Sequence, residues 1–414
     1  MTEIGMKDYF TDLHIHIGRT AKGIPVKITG ARSLTFENIA REAALRKGLD
    51  IVGIIDCASP AVQEDIRVCL SRGEMEEVNG GGLRYRSTVL LLGSEIEVQD
   101  SGTGPAHLLC YLPGLREMED FTEWLKPRMT NVTLSTQRLR ATARELQQAV
   151  AERGGIVIPA HIFTPHKSLY GSCTDRMADV LDLSKVAAVE LGLSADTEMA
   201  GGISELDAFS FVTNSDAHSL GKIGREYNRL RLAEPSFAEV AQALGSREGR
   251  GIAANYGLNP RLGKYHRTYC EACSRIVDEA DKAADRCLVC GSRRIVRGVM
   301  DRIGDIADRS APNSQRERPP YFHQVPLDFI PGLGPKLLEK LLARFGTEMN
   351  ILHRAAAEDL AEAAGPRVAG AILASREGRL LVDAGGGGKY GRVSRSGTAA
   401  APLRAGATAS GAPT

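Results

Sequence analysis

Several large function classes leave no trace in this chain. It has no GxxxxGKS/T phosphate loop and no GxGxxG strand-to-helix turn, which excludes nucleotide-driven motor chemistry and dinucleotide redox chemistry. No GxSxG elbow is present, so the α/β-hydrolase form of serine catalysis is excluded too. Net charge is also lacking. With 52 basic against 51 acidic residues the balance is +1, so any nucleic-acid surface must be local. No uninterrupted apolar run is long enough to span a bilayer. The start, MTEIGMKDYF, has neither the basic residues nor the apolar core of a signal peptide. The expectation is a cytoplasmic protein whose eight cysteines are reduced or metal-bound, not paired.

What is present suits a globular chain: 43% hydrophobic and 25% charged residues over 414 positions, enough for two or three domains. Residues from about 8 to 255 alternate strand-like and helix-like runs. We read strands at 51–56, 88–98, 107–112, 155–161, 187–192 and 211–218. A helix is expected over 36–48 with a glycine stop, and another from Ser135 to Gly154-Gly155. Repeated strand–helix units predict an α/β fold with a parallel sheet or barrel, whose chemistry collects at the carboxyl ends of the strands.

Two pairs of ligand-type residues frame this region. They lie in Asp12-Leu13-His14-Ile15-His16 and in Asn214-Ser215-Asp216-Ala217-His218. Strand side chains alternate, so His14 shares a face with His16, and Asp216 with His218. Asp56, Glu95, His107, His161 and Glu190 fall at other expected strand ends. So many ionisable groups on apolar strands are costly to bury without metal. A multinuclear centre for hydrolysis at phosphorus is expected.

Cys270-x2-Cys273 and Cys287-x2-Cys290 form a second metal signal, a closed four-thiolate zinc site of structural type. Arg261, Lys264, Arg267, Arg275, Arg286, Arg293, Arg294 and Arg297 surround it, a pattern suited to phosphate contact. Further on, Gly332, Gly334 and Lys336 precede the Leu-rich run LLEKLLARFG. This resembles a helix-hairpin-helix, with a weaker copy at 364–369.

DLHIH, GSEIE, IPAHIFTP and NSDAHS resemble the motifs of the polymerase and histidinol phosphatase (PHP) superfamily. That resemblance implies a distorted (β/α)7 barrel. It implies one metal on His14, His16, Glu95 and Asp216, a second on Glu95, His107 and His161, and a third touched by Asp56 and His218. A further histidine usual after the HxH pair is missing from IGRTAKGIPVK, which leaves the third site weakened or altered. ELGLSADTEM, NSDAHSLGKIGRE and NPRLGKYHRTYCEAC narrow the resemblance to endonuclease Q, over residues 8–375.

The expected function is therefore a metal-dependent endodeoxyribonuclease. It would nick DNA 5′ of deaminated bases (uracil, hypoxanthine) and abasic sites, with Asp216, His218 and Glu95 catalytic. The runner-up is a phosphatase acting on a small phosphomonoester. Zinc is expected in the cysteine site and in the barrel, with Mg or Mn as the alternative there. Damaged DNA is the expected partner, and a replication clamp stays open as another. The loop 164–171 is expected to line a base pocket through Ser168 and Tyr170. The expected domains are a barrel over 1–256, a zinc module over 257–303, a linker over 304–325, a helical domain over 326–382 and a disordered tail over 383–414.

Overall fold

Unbroken apolar runs are stable as strands only when both faces are covered. The computed structural model describes residues 5–277, 286–313, 315, 317–385 and 389–398. Its strands in chain order are β1 (Lys7–His16), β2 (Ile51–Ile55), β3 (Glu76–Glu77), β4 (Leu83–Tyr85), β5 (Thr88–Val98), β6 (Ala106–Leu112), β7 (Ile156–Pro159) and β8 (Val189–Glu190). They continue as β9 (Phe211–Val212), β10 (Tyr227–Leu232), β11 (Gly251–Gly257), β12 (Tyr269–Cys270), β13 (Ile295–Val296), β14 (Tyr321–His323), β15 (Leu380–Asp383) and β16 (Arg392–Thr398). β2, β5 and β6 are buried along their whole length, and β1 from Phe10 onward.

The α/β class is as expected, but the sheet is mixed where a parallel one was expected. Ten strands form it, in the order β14-β11-β10-β1-β2-β5-β4-β3, with β6 on β5 and β7 on β6. β1, β2 and β5 run parallel, whereas β6, β7 and β10 pair antiparallel with their neighbours. The short connection from β5 to β6 is a hairpin, and a hairpin can only close antiparallel strands. This carries His107, at the beginning of β6, to the same edge as the end of β5.

The later expected strands shrink to β7, β8 and β9 because the chain turns out of extended conformation at the site. His161 has φ 31° and Asp216 has φ 46°. β8 and β9 pair with each other. They join the rest through a few main-chain bonds: Ala187 N–H to Val157 O and Ile162 N–H to Glu190 O (both 2.9 Å), and His16 N–H to Ala217 O and Ala217 N–H to His14 O (both 3.1 Å).

The expected helix over 36–48 forms as Phe36–Glu42 continuing through a π turn to Lys47, capped by Gly48 at φ 79°. The expected helix from Ser135 begins only at Ala143. Thr142 there makes a capping box with Glu145, which supplies partners for first-turn N–H groups that Ser135 does not. Residues 135–141 instead run past the site.

The 304–325 stretch, expected as a linker, is anchored. Residues up to Ile306 complete the helix Val299–Ile306, Arg309 makes a two-pronged contact with Asp207 (2.7 and 2.6 Å), and β14 pairs with β11. Beyond it, the helices Pro335–Phe345, Glu348–His353, Ala357–Ala364 and Pro366–Arg376 pack back on the sheet. Lys47 Nζ lies 3.0 Å from both oxygens of Glu348, and the His353 ring stacks on Phe10 at 4.4 Å.

The tail expectation needs correction as well. β16 pairs with β15, and the chain between them donates from Gly385 N–H to Arg261 O (2.6 Å) and from Gly391 N–H to Leu262 O (2.9 Å). A Cβ on Gly385 would fall 2.6 Å from Gly391 N, and one on Gly391 would fall 2.3 Å from Asp383 O. Glycine is needed there for backbone to pass over backbone, a use of glycine that composition does not separate from flexibility. Residues 399–414 lie outside the described residues.

Glu226 is fully buried beneath the site, accepting from Thr213 Oγ1 and from Leu258 N–H (2.8 Å). Burial pushes its carboxyl up to about 8. The folded chain keeps a proton that the unfolded chain releases near the ordinary value of 4.5. Its stabilising effect is complete below that value, fades as pH rises toward 8, and is gone above. Glu226→Gln is expected to flatten the fall of the urea midpoint over that interval. An unchanged pH slope in the variant would show that Glu226 is ionised in the fold.

Candidate metal centre

β1 delivers His14 and His16 to one face, and the chain after β9 delivers Asp216 and His218 opposite them. His14 Nε2 and His16 Nε2 stand 3.3 Å apart. Asp216 Oδ1 lies 3.5 Å from each of those nitrogens. Glu95, from β5, closes the group at 3.7 Å from His14 Nε2 and 3.5 Å from His16 Nε2. The other Glu95 contacts define a second group, with His107 Nδ1 at 2.8 Å and His161 Nε2 at 3.4 Å. His16, Asp216 and His218 form a third close triplet. Glu95 thus bridges two groups, and Asp216 with His16 links two.

The ligand imidazoles are held from behind by carboxylates. Glu190 meets His14 Nδ1 at 3.0 Å and also accepts from His161 N–H (2.8 Å) and Asn214 Nδ2 (2.7 Å). Asp56 meets His16 Nδ1 at 3.1 Å, accepts from Ile17 N–H (2.9 Å), and receives Ser135 Oγ on its other oxygen. Glu97 lies 3.7 Å from His107 Nε2. The Glu190 and Asp56 hydrogen bonds fix their rings so that the other nitrogen faces the centre, and Glu97 adds a negative charge beside His107. Asp56, expected among the ligands of a third ion, stands behind His16 and is absent from the close His–carboxylate triplets found among the described residues.

The electrostatics of the group suit a bound cation. Burial opposes charge on His14, yet Glu190, Asp216 and Glu95 overcome it and push the ring up to about 10. Burial also opposes ionisation of Glu95, but His107 and Lys27 hold it well below the ordinary carboxylate range. Asp216 is held low in the same way by His14 and His16. His218 goes the other way, with burial and His16 driving it down to about 4. The ring nitrogens of His107 meet Glu95 and Glu97 as ion-pair contacts without hydrogen-bond geometry, and Nδ1 of His161 is buried without a hydrogen-bond partner. The donors are imidazole and carboxylate, the set that divalent ions of intermediate hardness prefer. Backbone strain concentrates here too, with Asp56, Thr136, His161 and Asp216 all at positive φ.

Sequence reasoning missed Lys27, Thr136 and Glu97. Lys27 Nζ lies 3.1 Å from Glu95 Oε2 and 2.6 Å from Thr136 Oγ1. It comes from the stretch that lacks a further histidine, which carried no signal of its own. Glu97 had a signal: it sits two positions after Glu95 on a strand, hence on the same face.

The expected base-pocket residues are not on a surface. Ser168 is fully buried, and its hydroxyl donates to the Ile162 and Thr164 carbonyls. Tyr170 is fully buried, stacks on Phe163 at 5.6 Å and donates to Glu205 at 2.7 Å. The loop turns inward because its apolar side chains pack beneath the site, so Tyr170 has no free face for a base.

The four cysteines do converge. Cys270 Sγ lies 3.6 Å from Cys290 Sγ, and Cys273 Sγ 3.8 Å from Cys287 Sγ. Thiolates bound at about 2.3 Å to a tetrahedral ion stand about 3.8 Å apart, so the spacing fits such an ion. N–H groups of Cys290 and Val289 lower the Cys287 thiol to about 7, favouring the thiolate. Arg293 and Arg294 flank the site, exposed, with Arg294 3.3 Å from Glu271. Gly332, Gly334 and Lys336 are exposed at the start of the helix Pro335–Phe345, and Gly332 has φ 88°.

Together these features define a mixed α/β protein with a histidine–carboxylate metal constellation and a separate four-cysteine site. It is 50% identical over 390 residues to the uncharacterized protein YqxK of Bacillus subtilis (strain 168), covering 94% of this chain and all of that one. It is 37% identical over 251 residues to the uncharacterized protein MJ0043 of Methanocaldococcus jannaschii, spanning 56% of this chain and 31% of that protein. The fold is similar to the lesion-specific endonuclease PfuEndoQ of Pyrococcus furiosus, with TM-score 0.80, 32% identity, and 94% and 95% of the two chains covered. It is equally similar to endonuclease Q in complex with a 27-mer duplex carrying an abasic lesion at the active site, with TM-score 0.79, 33% identity, and 94% and 96% coverage. No family model matches the chain. The chain belongs to the endonuclease Q family.

Glu190→Ala removes the carboxylate behind His14. Loss of such an orienting partner costs roughly 10–100-fold in metal affinity, and a competitive chelator titration is expected to show that loss. Unchanged affinity would mean that His14 is not a ligand.

Proposed function

We propose that this protein is a metal-dependent endonuclease that nicks DNA 5′ of deaminated bases, uracil and hypoxanthine, and at abasic sites. The observation that carries the reading is the convergence of His14, His16, Glu95, His107, His161, Asp216 and His218 within bonding reach of shared ions. It stands in a family whose solved member holds an abasic lesion at its active site. His14, His16, Glu95 and Asp216 would hold one ion; Glu95, His107 and His161 would hold a second. Bound there, such ions activate water and offset charge developing on the phosphodiester.

The chain's own groups set the geometry. Glu190 and Asp56 orient the His14 and His16 imidazoles, and Glu97 places a carboxylate near His107. Lys27 adds a fixed positive charge beside Glu95, where it partly balances the carboxylates. His218 stays neutral near pH 7, the state in which an imidazole takes an ion or a proton, and its side chain is about one third exposed (35%) beside Asp216. Zinc in the Cys270, Cys273, Cys287 and Cys290 site would hold β12 against β13 and present Arg293 and Arg294 to phosphates. The turn containing Gly332 and Gly334, with Lys336, would offer N–H groups and charge to the backbone of DNA. A phosphatase for small phosphomonoesters would leave both of these modules without a role. Among the described residues no helix is long and apolar enough to cross a membrane.

The test is nicking of end-labelled duplexes carrying one uracil or one abasic site, with divalent metal and with chelator. Asp216→Asn keeps shape and removes a negative ligand. Its nicking rate is expected to fall more than about a hundredfold, the scale of losing one catalytic electrostatic element. A rate within threefold of the parent's would refute the metal-centre assignment. Cys270→Ser is expected to release one zinc equivalent per chain by metal analysis, and unchanged zinc content would refute the four-thiolate site.

A further inference from the structure

Tyr170 lies in the core, so a base drawn out of DNA needs another surface. A cavity of about 480 Å³ opens from the metal centre, lined by His161, Asp216 and His218 and also by Lys264, Tyr265 and Tyr390. That volume falls in the roughly 300–1,000 Å³ range of small-ligand pockets. Its far residues come from two distant parts of the chain. Lys264 and Tyr265 follow the turn Pro260–Leu262, and Tyr390 sits on the glycine-rich segment that hydrogen-bonds to Arg261 and Leu262. Tyr390, 45% exposed, is one of the few large hydrophobic side chains left exposed among the described residues. Lys264 Nζ lies 4.7 Å from the Tyr265 ring centroid and 5.9 Å from that of Tyr390, an ammonium within reach of two rings.

We infer that Tyr265, Tyr390 and Lys264 form the seat that reads the extruded base, with the glycine-rich segment supplying half of its aromatic surface. This rests on the endonuclease reading above. Base-stacking platforms are aromatic and accept any base, because every base has a π face. Selectivity then needs a polar group. Deamination exchanges an exocyclic amino donor for a carbonyl acceptor, turning cytosine into uracil and adenine into hypoxanthine. An ammonium donates hydrogen bonds and accepts none. Lys264 therefore suits the deaminated carbonyl and leaves an amino group facing a donor, which is the unpaired arrangement that a polar site rejects. An abasic site lacks both the π face and the carbonyl, so it bypasses the seat and depends on the metal centre and phosphate contacts alone.

The test compares single-turnover nicking of uracil and of an abasic site in the same duplex, for the parent and for Tyr390→Ala, Tyr265→Ala and Lys264→Gln. The uracil-to-abasic rate ratio is expected to fall by roughly 5- to 100-fold in each tyrosine variant, the scale of one base–aromatic stack. Lys264→Gln, which can both donate and accept, is expected to narrow the preference for uracil over cytosine by about tenfold. Abasic nicking in each variant reports that the chain is folded and loaded. Equal losses on both lesions, or an unchanged ratio in both tyrosine variants, would overturn the seat while leaving the endonuclease reading intact. A parent that nicks neither lesion with metal supplied would overturn the endonuclease reading itself, and the seat with it.

Discussion

The constraint on which the rest of the structure depends is the burial of imidazoles and carboxylates at the edge of an apolar sheet. Such groups are tolerated inside a protein only when each has a partner. Here the partners form a relay, with Glu190 behind His14, Asp56 behind His16 and Glu97 near His107. The inner nitrogens and Glu95 are left facing one another across 3.3–3.7 Å. That arrangement is unfavourable without a cation and well matched to one. The positive φ values at Asp56, His161 and Asp216 show the backbone bent to complete it.

The same constraint accounts for the layout around the sheet. β7, β8 and β9 are short because their continuations must leave extended conformation to aim His161, Glu190 and Asp216 inward. What the strands lose in ladder hydrogen bonds is compensated by a buried amide network. Asn214 accepts from Leu13 N–H (2.9 Å) and donates to Glu190, while Asn228 and Asn255 link it onward to Thr213 and Phe211. Outside this frame, the anchored 304–325 stretch and the glycine-rich segment act as straps. One ties the helical domain to β11, and the other lies over Arg261–Gly263, next in the chain to the cavity residues Lys264 and Tyr265.

Much of this was legible in the sequence. The HxH and DxH spacings on apolar strands, the CxxC pairs and the glycine at position 48 each carry a local rule, so their placement could be read one segment at a time. The differences share a cause. A carboxylate at a strand end, such as Asp56, reads the same whether it meets an ion or the back of a histidine. Tyr170 looked available because a loop position does not reveal which way a ring turns. The run after Ser135 kept helical periodicity, but its first residues serve Asp56 and Glu95 instead of a helix.

The sequence alone determined which chemistry is present: the donor types, their spacing on strands, the four thiols and the family motifs. These are properties of short segments, governed by strand alternation and ligand preference. Only the tertiary structure decided which carboxylates face the centre and which stand behind it, that Lys27 enters it, and that Tyr390 and Tyr265, 125 residues apart in the chain, both come to Lys264 and to one cavity. Those outcomes depend on long-range packing, where the direction of a side chain is set by neighbours that the local sequence does not contain.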